Sequence, residues 1–467
     1  MVLSSLCCGK ISPDSSELNM KILLIEPRYS KVVLDTTSIP LGLASIATVL
    51  CNNGHEVKCL DGSVDNIEDS FDYSEYDLIG IQFHSFEAID YCIKLVKDIK
   101  RKSNIPIVAG GVAATFYYQE LLQYEEIDFF ILYEGEDTFL NLANTIAAKG
   151  NINIIPGIAM KGKKILDNEI YYRKDINSFP IPQREMFNWQ KYGQWSIITS
   201  RGCPYDCKFC TVPSFWRHTY RQRSPENIFQ EIKLLIDKFG AKKIFILDDS
   251  FTVSKSRTIK LLNLIIENNV QIEWACLTRA DLLDDDLLKL MKASGCSTIS
   301  IGVESANQDT LNYLNKNIDL VTIENTIELI KQNGIRVRCS FIFGFPNETE
   351  LHLKNNITFL KRTKPDEIQI YPLFPYYGTE LNRNNEFKNM DFSLGKDALF
   401  PILETENLKK ETISKYVKEC VIEMQNLGYV WISSHSIPPQ KKGFKNVIMT
   451  EFAPIQALNK NCDCITL

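Results

Sequence analysis

"SRGCPYDCKFC", residues 200–210, carries three cysteines at the spacing C-x3-C-x2-C. A disulfide uses two thiols and a structural zinc site uses four protein ligands, so three cysteines call for another kind of centre. Tight spacing lets one loop wrap one inorganic group. Iron–sulfur clusters are held by cysteine thiolates, and a four-iron cubane with three of them keeps one iron open. An open coordination position marks a reactive metal. A zinc reading would recruit His218 as the fourth ligand, at a gap after Cys210 longer than finger spacing. Three unrelated core cysteines would not be expected within eight residues, in a stretch that also carries Gly202 and Pro204.

The stretch sits just after an apolar run, "WSIITS" (195–200), the first of a series of predicted strands. The others are "KIFILDD" (243–249), "IEWACLTR" (272–279), "TISIGVES" (298–305), "RVRCSFIFGF" (336–345) and "EIQIYPLF" (367–374). Helical patterns separate them; in "NIFQEIKLLIDKFG" the apolar residues recur at Ile228, Ile232, Leu235 and Phe239. Six strands in βα order predict a partial (β/α)6 parallel barrel over residues 195–394, with its site at the C-terminal strand ends. Upstream, residues 20–150 alternate "KILLIE" (21–26), the helix "LGLASIATVLCNNG", "HEVKCLD" (55–61), "LIGIQF" (78–83), "IPIVAGG" (105–111) and "DFFILYEGE" (128–136). That pattern predicts a doubly wound parallel α/β sheet, which binds ligands at the carboxyl ends of its strands. Residues 151–194 read as a connector, 395–467 as a small helical region with a helix near 407–427 and a polar tail, and 1–19 as a disordered extension.

The chain has 467 residues, 45% hydrophobic and 24% charged, with a formal net charge of −6, which gives no electrostatic footprint for nucleic acid. No apolar run is long enough to cross a bilayer. "MVLSSLCCGK" lacks the basic region and apolar core of a signal peptide. The fourteen cysteines are scattered, not framed as in a secreted mini-protein, so a reducing cytoplasm is expected. Cys51, Cys59, Cys92, Cys276, Cys296, Cys339 and Cys420 read as small buried hydrophobes.

C-x3-C-x2-C with an aromatic residue, Phe209, before the last cysteine resembles the radical S-adenosylmethionine (SAM) enzymes. That resemblance implies Cys203, Cys207 and Cys210 as ligands of a [4Fe–4S] cluster whose open iron chelates SAM. An electron from the cluster would then cleave SAM to methionine and a 5′-deoxyadenosyl radical. It also implies a SAM pocket including Phe209. "LDDSF" stands where the family places an acidic motif toward the SAM amino group, giving Asp248 and Asp249; "IGVES" gives Glu304 and Ser305; "FIFGFPNETE" resembles the stretch beside the adenine, with Asn347 in place of a glycine. Arg279 and Arg338 could reach a carboxylate. An electron donor such as flavodoxin or ferredoxin is implied as partner.

"PLGLASIATVLCNNGHEVKCLDG" (40–62), "VAGGVAAT" (108–115) and "YEGE" (133–136) resemble the cobalamin (B12)-binding domain that precedes many radical SAM proteins. Gly110 and Gly111 at a strand end would allow close backbone approach, and Ser85, Glu134 and Gly135 lie on the same sheet edge. The Asp-x-His-x-x-Gly signature is absent from "EPRYSKVVLD", and many radical SAM relatives lack it too. His55 and His84 are not expected to be ligands.

The resemblance implies cobalamin-dependent methylation of an unactivated carbon in a small-molecule or peptide substrate. The alternatives are a radical SAM cyclase, rearrangement or oxidative enzyme without cobalamin, and a non-catalytic iron–sulfur protein. A methylthiotransferase would need a second cysteine triad. Cys462 and Cys464 in "NCDCITL" are too few for an auxiliary cluster.

Overall fold

The computed structural model describes residues 19–27, 38–65, 67, 71–86, 88–162, 170, 172–384, 387, 403–433 and 447–450. Two compact units result. The first runs through Asp206 and adds Cys210–Trp274 and Tyr376–Thr379; the second comprises Cys207–Phe209, Ala275–Pro375 and the chain from Glu380 onward. This division differs from one drawn at residues 150 and 194, since the connector and the first barrel strands pack with the front sheet.

The first unit opens on β1 (Lys21–Glu26), five of whose six residues are buried, as an apolar run covered on both faces requires. β2 (Glu56–Asp61), β3 (Leu78–Gln82), β4 (Ile107–Gly110) and β5 (Phe129–Ile131) follow in parallel, and β6 (Ile158–Ala159) closes the edge antiparallel. The strand order is β2-β1-β3-β4-β5-β6. The order reverses between β1 and β3, the place where doubly wound sheets of this kind bind ligands. Apolar clusters fill both faces of the sheet.

"DFFILYEGE" is not one long strand. Tyr133 takes φ +65°, which ends β5, and the helix Glu136–Ala147 begins three residues later. "WSIITS" is likewise divided: β7 (Trp195–Ile197) ends early, and β8 (Ser200–Arg201) pairs antiparallel with β9 (Arg221–Gln222). β10 (Lys243–Ile246) lies parallel to β7. Before it, the helix Pro225–Phe239 is capped by Ser224, whose hydroxyl accepts from the Asn227 N–H, and stops at Gly240 in the left-handed region. It buries Ile228, Ile232 and Leu235, while the Phe239 ring packs tilted against Trp195, 4.9 Å between centroids.

The second unit holds most of β11 (Glu273–Thr278), then β12 (Cys296–Glu304), β13 (Arg336–Phe343) and β14 (Glu367–Pro372), with β12, β13 and β14 parallel neighbours. The predicted helix is present as Lys410–Asn426. The C-terminal region is more than a polar tail: β15 (Val430–Ser433) and β16 (Val447–Thr450) extend this sheet in parallel beyond β14. Cys59, Cys92, Cys276, Cys296, Cys339 and Cys420 are buried as expected, whereas Cys51 is half-buried. Residues 1–18, most of "EPRYSKVVLD", and Cys462 and Cys464 lie outside the described residues. Among the described residues no helix is long and apolar enough to cross a membrane.

Candidate active site

The carboxyl ends of β3, β4 and β5 open onto a cavity of about 330 Å³ within the first unit. Its sheet side is lined by Gly42, Gly80, Gly110, Gly111 and Gly135, and its opposite side by Ile198, Leu247, Phe215 and Trp216. These glycines are of two kinds. At Gly111 (φ +102°) a Cβ would lie 2.7 Å from the Phe83 carbonyl oxygen, and at Gly80 it would lie 2.7 Å from the Leu24 side chain, so the fold itself excludes larger residues. A Cβ at Gly42 or Gly110 would meet nothing closer than 3.7 Å or 3.8 Å. The backbone tolerates a side chain there; the cavity would lose room. Such open glycines leave room for a ligand to lie against the backbone. His84 also lines the cavity, with Nδ1 3.1 Å from Glu26 Oε1, while Ser85 lies outside the lining and His55 is buried against Asn144.

Charge at the cavity is internally balanced. Arg201 reaches Glu134 through Nη1 and Glu136 Oε1 through Nη2 at 2.6 Å. Arg221 donates to both oxygens of Glu134 at 3.0 Å, the Arg173 N–H donates to Glu134 at 2.9 Å, and Ser45 Oγ donates to Glu136 at 2.7 Å. Burial pushes the Glu136 carboxyl up, but the Arg201 guanidinium outweighs it and holds the group below the usual carboxylate range.

The two adjacent aspartates differ in placement. Asp248 is buried and accepts from the Thr199 and Ser200 N–H groups at 2.6 and 3.1 Å, from Ser200 Oγ at 2.6 Å and from Thr199 Oγ1. Asp249 instead faces the cavity. Burial first, and the Asp248 charge second, push it up to about 6, against the pull of the Gly202 N–H.

Cys203, Cys207 and Cys210 are free and half-buried. As donors the three thiols suit an iron–sulfur cluster, although among the described residues no three or more His, Cys, Asp or Glu side chains are gathered as a metal site. Gly202, at φ +86°, has no room for a Cβ, which would fall 2.1 Å from the Thr219 carbonyl oxygen. His218, the alternative zinc ligand, is exposed and 3.8 Å from Asp206.

In the second unit the Lys208 N–H donates to the Leu314 carbonyl at 3.0 Å, and Phe209 packs 5.9 Å from Phe345, centroid to centroid. Lys316, for which sequence spacing gave no signal, lies 5.8 Å from the Phe209 ring and donates to Glu304 Oε1 at 2.9 Å. Glu304 takes φ +67° at a register shift after Gly302, where a Cβ would collide with the Glu304 carboxylate. Ser305 Oγ donates to Glu348 at 2.9 Å. Arg338 pairs with Glu367, and Arg279 donates to Asp281 and the Lys316 carbonyl, so both guanidiniums already hold carboxylates.

Comparison with known proteins matches residues 197–360 to the radical SAM superfamily and residues 31–143 to the B12 binding domain. The chain is 30% identical over 426 residues to an uncharacterized methyltransferase of Pyrococcus horikoshii, covering 86% of this chain and 92% of that one. It is 26% identical to an anaerobic magnesium-protoporphyrin IX monomethyl ester cyclase of Rubrivivax gelatinosus, over 74% of this chain and 66% of the cyclase. In fold it resembles the radical SAM methyltransferase TsrM of Kitasatospora setae, solved with cobalamin and a [4Fe–4S] cluster, at a TM-score of 0.69 and 17% identity over 85% and 84% of the two chains.

Proposed function

Because this chain belongs to the radical SAM superfamily and carries a B12-binding domain in front, we propose that it methylates an unactivated carbon of a small-molecule or peptide substrate. It is an enzyme of that class, and its cofactors are a [4Fe–4S] cluster, SAM and cobalamin. When bound, these supply a 5′-deoxyadenosyl radical and a transferable methyl group; the chain's own residues bind, orient and keep out water.

In this reading the Cys203, Cys207 and Cys210 thiolates hold the cluster. Asp249 presents a carboxylate to the SAM ammonium, a charge-assisted pairing. Phe209, Glu304 and Ser305 belong to the SAM pocket, with Asp248 holding the strand end behind Asp249 and Arg338 fixing β13 to β14. Gly110 and Gly111, with Glu134 and Gly135 at the neighbouring turn, form the cobalamin seat, and Ser85 stands at its margin. The observation that carries the reading is the glycine-lined cavity at the carboxyl ends of β3, β4 and β5, lined also by Asp249 and Arg201. A reducing protein of flavodoxin or ferredoxin type would supply electrons in the cytoplasm, and no nucleic acid takes part. The likeness to a cyclase favours a second reading, ring closure on the same cofactors.

The test is purification without oxygen from cells supplied with cobalamin, followed by metal analysis and an assay of SAM cleavage. About four irons and one cobalt per chain are expected. Cys207→Ala should stay folded, lose iron and cease to cleave SAM. Zinc in place of iron, or full activity in that variant, would refute the assignment.

A further inference from the structure

We propose that Arg201 is a positioning residue, one that locks the start of the cysteine loop onto the turn at the end of β5 and so fixes the cluster relative to cobalamin. The inference rests on the cofactor assignments above and adds a role that they do not require.

Arg201 ends β8, two residues before Cys203, and its guanidinium bridges two carboxylates that flank Gly135. Those carboxylates, on Glu134 and Glu136, are buried, and Glu134 also holds Arg221 from β9 and the Arg173 N–H from the connector. Four separate segments therefore meet at two acids and two guanidiniums, with no net charge.

A buried network of this kind is poor value as glue. Taking four charges out of water costs about what their attraction returns, and apolar replacements of such groups are often neutral or stabilising. What it does provide is register, because a planar guanidinium meets two carboxylates in few orientations. Rings restrain the planes as well: Arg201 lies 4.7 Å from the Phe179 centroid and 6.0 Å from Trp216, and Arg221 lies 5.1 Å from Trp216 and 5.2 Å from Tyr172.

The link from this network to the loop has little slack. Gly202, the residue between Arg201 and Cys203, is buried at φ +86° against the Thr219 carbonyl. Glu134, Gly135 and Glu136 line the cavity directly. Both guanidiniums are occupied by carboxylates, so the network is not arranged to capture an anionic substrate. It connects the wall of the cobalamin seat to the first cluster ligand through two residues of constrained backbone.

The test uses the holoenzyme with the cluster reduced and the cobalamin in the cob(II)alamin state. The magnetic dipolar interaction between these two centres, read by electron paramagnetic resonance, reports their separation without turnover. Arg201→Met, nearly isosteric in its stem, should keep iron and cobalt content. Its dipolar splitting should broaden or shift, and product formation should fall about a hundredfold, the cost of a 1 Å misplacement. Arg201→Lys, which keeps the charge but not the fork, should fall between. An unchanged splitting in Arg201→Met at wild-type metal content would overturn the proposal. If Arg201→Met does not assemble, Arg201→Lys and Glu136→Gln decide on the same readout, and wild-type splitting in both refutes it. A wild-type protein without cobalt overturns the functional reading itself, a result distinct from either.

Discussion

Replacing Asp248 and Asp249 in turn by asparagine separates a residue that holds the fold from one that faces the cavity. Asp248 takes four hydrogen bonds from Thr199 and Ser200, and Arg257 Nη2 lies 3.7 Å away. Asparagine preserves shape but removes the charge and turns one acceptor into a donor. The two hydroxyls can rotate to accept from the new amide, while the two N–H groups keep only the remaining oxygen. With buried hydrogen bonds to a charged group each contributing about 1.5–3 kcal/mol, and partial rescue, Asp248→Asn should cost about 3 kcal/mol. Asp248→Ala, which strands all four donors, should cost about 4 kcal/mol, in the range for breaking one side of a buried charged pair. Asp249 has its usual ionisation already opposed by burial and by Asp248, so Asp249→Asn should leave stability within about 1 kcal/mol or raise it slightly. Its effect should fall on SAM, with affinity lowered about tenfold, the equivalent of one charge-assisted contact. Denaturant titration followed by fluorescence reads the first quantity and equilibrium dialysis of SAM the second. A stable Asp248→Asn with lost SAM binding, beside a destabilised Asp249→Asn with normal binding, would refute the assignment of roles.

Two further outcomes follow from the same geometry. Gly110→Ala should leave unfolding within about 0.5 kcal/mol, as an unclashing substitution does, yet lower cobalamin uptake about tenfold; Gly111→Ala should cost at least about 1–3 kcal/mol, through backbone strain together with the clash against the Phe83 carbonyl. Normal cobalt content in Gly110→Ala would mean the cradle holds something else. Glu348 is fully buried and burial pushes it up to about 7 from 4.5, against the Gly344 and Phe345 N–H groups and the Ser305 hydroxyl. The folded state therefore binds the proton more tightly than the unfolded chain, so stability falls as pH rises from 4.5 through about 7 and then levels off, by at most about 3 kcal/mol. Glu348→Gln, which mimics the protonated acid, should flatten this slope in denaturant titrations at pH 5 and pH 8; an unchanged slope would show that Glu348 is not its source.

The parts of this molecule that were readable from sequence are those governed by short-range pattern. β1 announces itself because a strand covered on both faces must be apolar throughout, and Pro225–Phe239 because its cap, its 3.6-residue period and its terminal glycine agree. The three cysteines stand out in the sequence because they fall within eight residues. The short extent of β5 was not, since it ends on the left-handed backbone of Tyr133, a conformation no apolar count reveals. β16 was hidden because its pairing with β14 joins residues some eighty positions apart in the chain, 367 and 447 among them, and β15 is held only through β16. Arg201 and Arg221 sit on a ladder only two residues long, and their importance arises from Glu134 and Glu136, which come together with them only in the folded chain.

The buried thiols bear on how this protein acquires iron. Burial pushes the thiols of Cys59, Cys92, Cys339 and Cys420 far above the ordinary range, and a protonated thiol in apolar surroundings is a poor nucleophile and a poor metal ligand. Once the chain has folded, iron and sulfide delivered from outside would meet few thiols competing with the loop among the described residues. Besides its three cysteines, only Cys51 among the described thiols is even half-accessible. Among the described residues, then, burial leaves few thiols other than Cys203, Cys207 and Cys210 open to metal or to oxidant.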